Sequence, residues 1–332
     1  MSTQNGQDDS PTRDSGPPRL AHGVLHCNLN TGDVSAAHEF YSALLGLTRR
    51  MRTRSTEGDG HAMGIDGLTD TDTWFLYDWR GPRVAPALEL VQWNTPALAE
   101  RPAPSPWQTG ISAIGYTMPD ISAVGHTTEG PDALGPVPHR GGKAHAKRIT
   151  GPDGVAVELV ESGHAGSVES GATLSHLRIN CSDLDASAGW YAALGFQQLA
   201  PASRLTLPGW ALGTADDVEV SFVSLELPQD GTFTLELVQW HRPPGIAAAT
   251  LTANSQGLYR IALATEDAGA ASSALASLPE RQRGGPTWIP LPGTPLGGLT
   301  VLFLKDPDDV VVELVERSAA ALARRGGQEG AR

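Results

Sequence analysis

The hexapeptide Leu-Glu-Leu-Val-Gln-Trp occurs twice in this 332-residue chain, at 88–93 and at 235–240. Each copy sets a carboxylate, Glu89 or Glu236, inside a short apolar run that reads as a strand. A carboxylate in such a run is costly to bury unless it is paired or bound to a metal, so each copy constrains what lies beside it. The surroundings repeat as well. Asp33 and Asp183 are 150 residues apart, Glu89 and Glu236 147, and Glu158 and Glu313 155. His26 and His176 each stand seven residues before the Asp that follows them. Repetition on this scale marks a duplicated supersecondary unit.

Taken in order, Val24–Asn30 alternates, with His26, Asn28 and Asn30 facing one way and Leu25, Cys27 and Leu29 the other. That is the pattern of a half-buried strand. Asp33 suits a helix N-cap, and Val34, Phe40, Tyr41, Leu44 and Leu45 form an apolar helix face that ends at Gly46. The region 47–80 is rich in Gly, Asp and Thr, with a strand predicted at Thr73–Trp79. The first hexapeptide follows, and Pro-rich 96–106 reads as a linker. A second unit begins at Ile111, where Ala113, Gly115 and Thr117 share a face. Asp120 stands at a cap position, and a Gly/Pro/His-rich loop at 130–147 leads to a strand at Val155–Glu161. The third unit copies the first: His176, Arg178 and Asn180 share a face, and Asp183 caps a helix bearing Leu184, Trp190, Tyr191 and Leu194. The fourth copies the second, with Arg260, Ala262 and Ala264 on one face, Asp267 as a cap, and a last strand at Val310–Glu316. Four βαβββ modules, an α+β fold, are the expected skeleton.

Bulk properties narrow the function class. A net charge of −13 argues against a general nucleic-acid binder. Two cysteines, Cys27 and Cys181, without paired spacing, exclude a disulfide framework or a cysteine-based zinc site and fit a reducing compartment. No run approaches the roughly 20 apolar residues of a membrane-spanning helix, so no membrane partner and a cytoplasmic location are expected. Residues 1–19 and 319–332 read as tails.

The Phe40-Tyr41…Leu45-Gly46 and Trp190-Tyr191…Leu194-Gly195 pairs, the seven-residue His-to-Asp spacing, and the Pro-Asp-Gly-x-x-x-Glu-Leu run at 152–159 with its Pro-Asp-Asp variant at 307–314 resemble the vicinal oxygen chelate superfamily. This superfamily includes glyoxalase I, extradiol dioxygenases and bleomycin-resistance proteins. The resemblance implies paired modules forming two cupped, mixed-sheet half-barrels, assigned to 20–165 and 170–318, with the pairing of modules, one with two or swapped between halves or chains, left open. It implies a metal held by first-strand His and last-strand Glu side chains: His26, Glu89 and Glu158 in the first half, His176, Glu236 and Glu313 in the second. One divalent ion per active half (Mn, Mg, Ni, Co, Zn or Fe) would then polarise adjacent oxygens of a small substrate. Glu158 and Glu313 would be the bases of an isomerase, epimerase or lyase working through a metal-stabilised enediolate.

The sequence departs from that pattern at Ala113 and Arg260, which stand where first-strand ligands are usual. Arg260 could instead neutralise Glu236 and Glu313 in place of a metal, or clamp a substrate carboxylate. Asn28, Trp93, Arg178, Asn180, Trp240 and Arg260 are the candidate substrate-binding residues. Trp93 and Trp240 could equally be core. The loop His139–His145, with Lys143 and Arg148, could close over an anionic substrate. Two further readings stay open: an extradiol-type oxygenase, and a metal-free protein that sequesters a small molecule. The partner is a small-molecule substrate, and a homodimer is compatible with the sequence.

Overall fold

The structure, a computed structural model, describes residues 20–102, 104–122, 124, 135–162, 171–279, 282–291 and 296–324. The first module comprises β1 (Gly23–Asn30), α1 (Val34–Leu45), β2 (Thr48–Asp59), β3 (Leu68–Tyr77) and β4 (Ala87–Thr95). The second contributes β5 (Gly110–Met118), β6 (Gly135–His139), β7 (Gly142–Thr150) and β8 (Ala156–Glu161). The third is β9 (Thr173–Cys181), α2 (Leu184–Leu194), β10 (Gln197–Gln198), β11 (Ser203–Leu207), β12 (Val218–Leu227) and β13 (Asp230–Arg242). The fourth is β14 (Gly257–Thr265), α3 (Ala268–Ala274), β15 (Thr287–Leu291), β16 (Gly297–Lys305) and β17 (Val311–Glu316), followed by α4 (Ala319–Arg324). The fold is α+β with two mixed, cupped sheets, as the sequence leads one to expect.

Local chemistry sets the helix ends. Asp33 accepts from the Ser35 and Ala36 amides, Asp183 from Ala186 and Asp267 from Ala270, satisfying donors that the first helical turn leaves free. Gly46 and Gly195 close α1 and α2 in left-handed conformation, at φ 68° and 112°. The helix expected after Asp120 falls largely on 123 and 125–134, outside the described residues, as do the tails at 1–19 and 325–332. Ala319–Arg324 is helical and not part of a tail. The expected loop at 130–147 is, from Gly135 onward, the β6–β7 hairpin.

The sheets are not assembled from consecutive halves of the chain. One has the strand order β15-β16-β17-β14-β1-β4-β3-β2 and joins the first module to the fourth. The other, β10-β12-β13-β9-β5-β8-β7-β6 with β11 on β12, joins the third to the second. The central pairs, β1 with β14 and β9 with β5, are antiparallel. Each central strand is parallel to its outer neighbour: β1 to β4, β14 to β17, β9 to β13 and β5 to β8. The Pro-rich segment after β4 carries the chain into the second sheet, and the segment after β13 carries it back. The two crossovers run side by side, bridged at Ala99–Ser255 and Gln108–Ile246. Asn30 donates to the carbonyls of Ala253 and Ser255, and Asn180 to those of Pro106 and Gln108, fastening one crossover to each central strand.

The back faces of both sheets share one apolar core with α1, α2 and α3, containing Cys27, Tyr41, Ile114, Leu177, Tyr191 and Leu263. Burial pushes the Cys27 and Cys181 thiols well up from their ordinary range, Cys181 to about 12, which suits inert core residues. Leu25 departs from the predicted alternation. A register irregularity between Val24 and His26 turns it to the concave side, where it packs near Ala262 and Val315.

Asp306 ties the fourth module to the third. Its carboxylate accepts from Tyr191 Oη at 3.1 Å and from the Asp308 and Val310 amides at 2.9 Å. Burial raises it from 3.8 to about 7 against the pull of those donors. The folded state therefore holds a proton that the unfolded chain releases, so stability should fall as pH rises from about 4 to about 7. Asp306→Asn should flatten that part of the profile, as checked by denaturant midpoints across this pH range.

Candidate functional site

In each sheet the first-strand His and last-strand Glu residues converge on the concave face, because parallel pairing puts them level across the central strands. The sets that meet are not those expected from consecutive halves. His26 and Glu89 meet Glu313, while His176 and Glu236 meet Glu158. Glu158 and Glu313 have exchanged places because the sheets pair modules one with four and two with three.

In the first cup, His26 Nε2 stands 3.4 Å from Glu89 Oε2 and 3.6 Å from Glu313 Oε2. Arg260 lies between the carboxylates. Its Nη2 donates to Glu89 Oε2 at 2.9 Å and its Nε to Glu313 Oε2 at 2.8 Å. Asn28 Nδ2 adds a third donor to Glu89 Oε2, at 3.1 Å. Burial alone would raise Glu313, but the Arg260 guanidinium and the nearby imidazole override it and hold the carboxyl at about 2. The same two carboxylates hold Arg260 firmly charged despite its burial. Arg260 thus neutralises Glu89 and Glu313, and not Glu236.

Above this floor lies a cleft of about 910 Å³. Its walls include Phe75, Val91, Trp93, Leu299 and Phe303, with Met51, Val84 and Trp288 exposed along the rim. Its size is that of a site for a drug-sized molecule. Trp93 lines it while donating its indole N–H to Asn30.

The second cup is closed. The tip of the β6–β7 hairpin crosses from one edge of the sheet onto β12 and β13. There the Arg140 amide donates to Glu236 Oε1 at 3.2 Å and the Gly141 amide to Ser224 Oγ at 3.1 Å. His139 Nδ1 lies 3.1 Å from Glu236 Oε1, and its ring packs 5.0 Å from that of His176. Arg140 reaches further, to Glu226 and the Gly231 carbonyl. Val137, Leu212, Val220, Phe222, Val238 and Trp240 fill the interior with apolar side chains. The corresponding interior of the first cup is split into two small clusters, one around Trp93 and Tyr259, the other around Val301 and Val315.

Beneath the plug, Glu158 is saturated. Arg178 donates to Oε2 through Nε and Nη2 (3.0 and 2.7 Å), His176 Nε2 is 3.1 Å from the same atom, and Arg148 Nη1 donates to Oε1 at 2.6 Å. Burial would raise Glu158, yet Arg178, His176 and Arg148 together hold it far below the usual carboxylate range. Burial lowers His176 from its ordinary value, and the His139 ring adds to this. The imidazole lies flat on Gly115, where a Cβ would come within about 2 Å of the ring.

The twelve predicted site residues thus separate into three groups. His26, Asn28, Glu89, Trp93, Arg260 and Glu313 surround the open cleft. Glu158, His176, Arg178 and Glu236 form the network under the plug. Asn180 fastens a crossover, and Trp240 is core beside Trp107. Sequence reasoning missed Phe75 and Phe303 as cleft residues and His139–Arg140 as a plug. The plug had a signal, a His-Arg-Gly-Gly turn between two extendable runs, but nothing in one dimension says which cup a hairpin tip reaches.

The carboxylate oxygens nearest His26 Nε2, where an ion would meet all three side chains, are Glu89 Oε2 and Glu313 Oε2. Arg260 already donates to both oxygens, so an ion there would share them with a fixed guanidinium at contact distance. Among the described residues, no group of three or more His, Cys, Asp or Glu side chains is arranged to hold a metal. The residues do not fit a metal centre.

The Glyoxalase/Bleomycin resistance protein/Dioxygenase superfamily model matches residues 23–159 and 173–314. The chain belongs to that superfamily. Glyoxalase I from Zea mays is similar in structure, with 19% identity and a TM-score of 0.59 over 93% of this chain and 97% of that one. A Bacillus subtilis protein provisionally described as a dioxygenase is similar at 13% identity and a TM-score of 0.56, over 90% of this chain and 86% of that one. At these identities the likeness concerns the fold. No curated protein sequence matches the chain.

Glu158→Gln should leave two buried guanidiniums with one partner fewer, costing about 3–5 kcal/mol. Glu89→Gln, at the open cup, should cost less, because Arg260 keeps Glu313 and the cleft admits water. Equilibrium denaturation of the two variants checks the order.

Proposed function

We propose that this member of the superfamily binds a small, largely apolar molecule in the cleft of the first cup, without a metal ion. The observation that carries the reading is the guanidinium of Arg260 on the carboxylate oxygens a metal would need, at the floor of a cleft of about 910 Å³. The metal-stabilised enediolate and oxygenase readings both require a metal ion on oxygens that already accept from Arg260. The aromatic and aliphatic walls supply affinity by excluding water from apolar surface, and the few polar groups at the floor orient what enters. The second cup takes no ligand in this reading, because the chain's own hairpin occupies it.

A second reading rests on one contact. His26 Nε2 within 3.4–3.6 Å of two carboxylates is an arrangement that could move a proton on a bound molecule. Glu313, rather than Glu158, is then the carboxylate within reach of a substrate. The two readings separate on whether a bound compound is recovered chemically unchanged after incubation with the wild-type protein and altered only when His26 is present.

The apolar fluorophore N-phenyl-1-naphthylamine, added in the presence of excess EDTA, should bind at about one per chain with a blue-shifted emission. Val301→Trp, which fills the cleft, should abolish it. A requirement for added divalent metal, or binding unaffected by Val301→Trp, would contradict the reading.

A further inference from the structure

The two cups are internal copies, so the closed one shows which charges this floor is built to carry. Across β12 and β13, Ser224 faces Glu236, and across β7 and β8, Arg148 faces Glu158. The register-equivalent neighbours in the open cup are Phe75 beside Glu89 and Phe303 beside Glu313. The first guanidinium has only moved one strand over, from Arg178 on β9 to Arg260 on β14. The second, Arg148, has no counterpart, since a phenyl ring stands in its place.

The charge balance differs accordingly. Counting carboxylates and guanidiniums alone, the closed floor sets Glu158 and Glu236 against Arg148 and Arg178, whereas the open floor sets Glu89 and Glu313 against Arg260. The missing guanidinium shows at the carboxylate oxygens. Glu158 Oε1 accepts from Arg148, while among the described residues no hydrogen bond reaches Glu313 Oε1 or Glu89 Oε1. Both side chains are more than nine-tenths buried and line the cleft. The plug of the closed cup repeats the point, since Glu236 Oε1 is met there by an imidazole nitrogen and a backbone N–H. The rest of the lining carries both signs, Arg50, Arg83 and Arg317 with Asp59 and Asp230, whereas the buried floor sets two carboxylates against one guanidinium.

We propose that the ligand of the open cup carries a planar cationic, hydrogen-bond-donating head, of amidinium or protonated ring-nitrogen type, on an apolar body. The head takes the place of the absent second guanidinium. It donates to Glu313 Oε1 and Glu89 Oε1 beside Phe303 and Phe75, whose ring faces favour a cation. This rests on the cleft being a small-molecule site, as proposed above.

Calorimetric titration with three matched probes tests it: 2-naphthamidine as the amidinium, naphthalene-2-carboxamide as the neutral form and 2-naphthoate as the anion. The amidinium should bind at one per chain, at least about tenfold more tightly than either relative. Glu313→Gln should remove most of that preference, and Phe303→Arg, which copies Arg148 of the closed cup, should abolish amidinium binding. Circular dichroism and thermal melts establish that each variant is folded, and Glu89→Gln serves as a second probe of the same oxygens. Tightest binding of 2-naphthoate, lost in Arg260→Gln, would overturn the proposal in favour of an anion clamp. Equal binding of amidinium and carboxamide would overturn it too, as would binding of none of the three. If N-phenyl-1-naphthylamine still binds in those cases, only this inference fails; if it does not, the small-molecule site fails with it.

Discussion

Burying a carboxylate obliges the chain to bring a cation to it, and both cups of this protein are organised by that obligation. Each duplicated strand delivers one Glu to a concave face, and each last strand delivers another. Isolated, such a pair would be expelled or protonated, since the cost of an unpaired buried charge far exceeds the net stability of a domain. A metal ion is one way to meet the obligation, and a guanidinium is another. Here Arg260 bridges Glu89 and Glu313, and Arg178 and Arg148 hold Glu158. Once Arg260 is in place, the carboxylate oxygens nearest His26 already accept from a fixed guanidinium, and a divalent ion on them would lie at contact distance from that charge.

From that common floor the two cups diverge through a few side chains. In one, Gly115 lets His176 lie flat, Ser224 leaves room for Gly141, and the β6–β7 tip fits into the space. The apolar residues around Phe222 and Trp240 then close into a continuous core. In the other, Ala262 stands opposite His26, Phe75 and Phe303 rise beside the carboxylates, and among the described residues no hairpin tip bonds to the floor. Duplication has left one half of the molecule as a stabilised scaffold and the other as a cleft.

Much of the fold could be read from residues alone, because its signals are local. The His-x-Asn and His-x-Arg alternations, the capping Asp33, Asp183 and Asp267 and the Gly46 and Gly195 that end α1 and α2 act within a few positions, and they form strands, caps and helix ends where they are expected. Module pairing is a different kind of fact. It depends on two crossovers whose course is held by Asn30 and Asn180, and a Pro-rich linker looks the same whichever sheet it leads to. For the same reason Glu158 and Glu313 could be expected on a concave face but not assigned to the right cup. Arg260 was legible as an exception to the ligand pattern. Which two carboxylates it would bridge was not, because that depends on which modules share a sheet. Phe75 and Phe303 carried no sequence signal, since an aromatic residue in a strand reads as core until the cavity beside it is seen.

In the first cup a guanidinium, and not a metal ion, meets Glu89 and Glu313. The most direct test is the elemental composition of the full chain, purified without chelator and then dialysed against Mn, Ni, Co and Zn in turn. The expected result is substoichiometric metal throughout, with no change in thermal unfolding on adding any of the four. One tightly held divalent ion per chain, lost in His26→Ala, would contradict it.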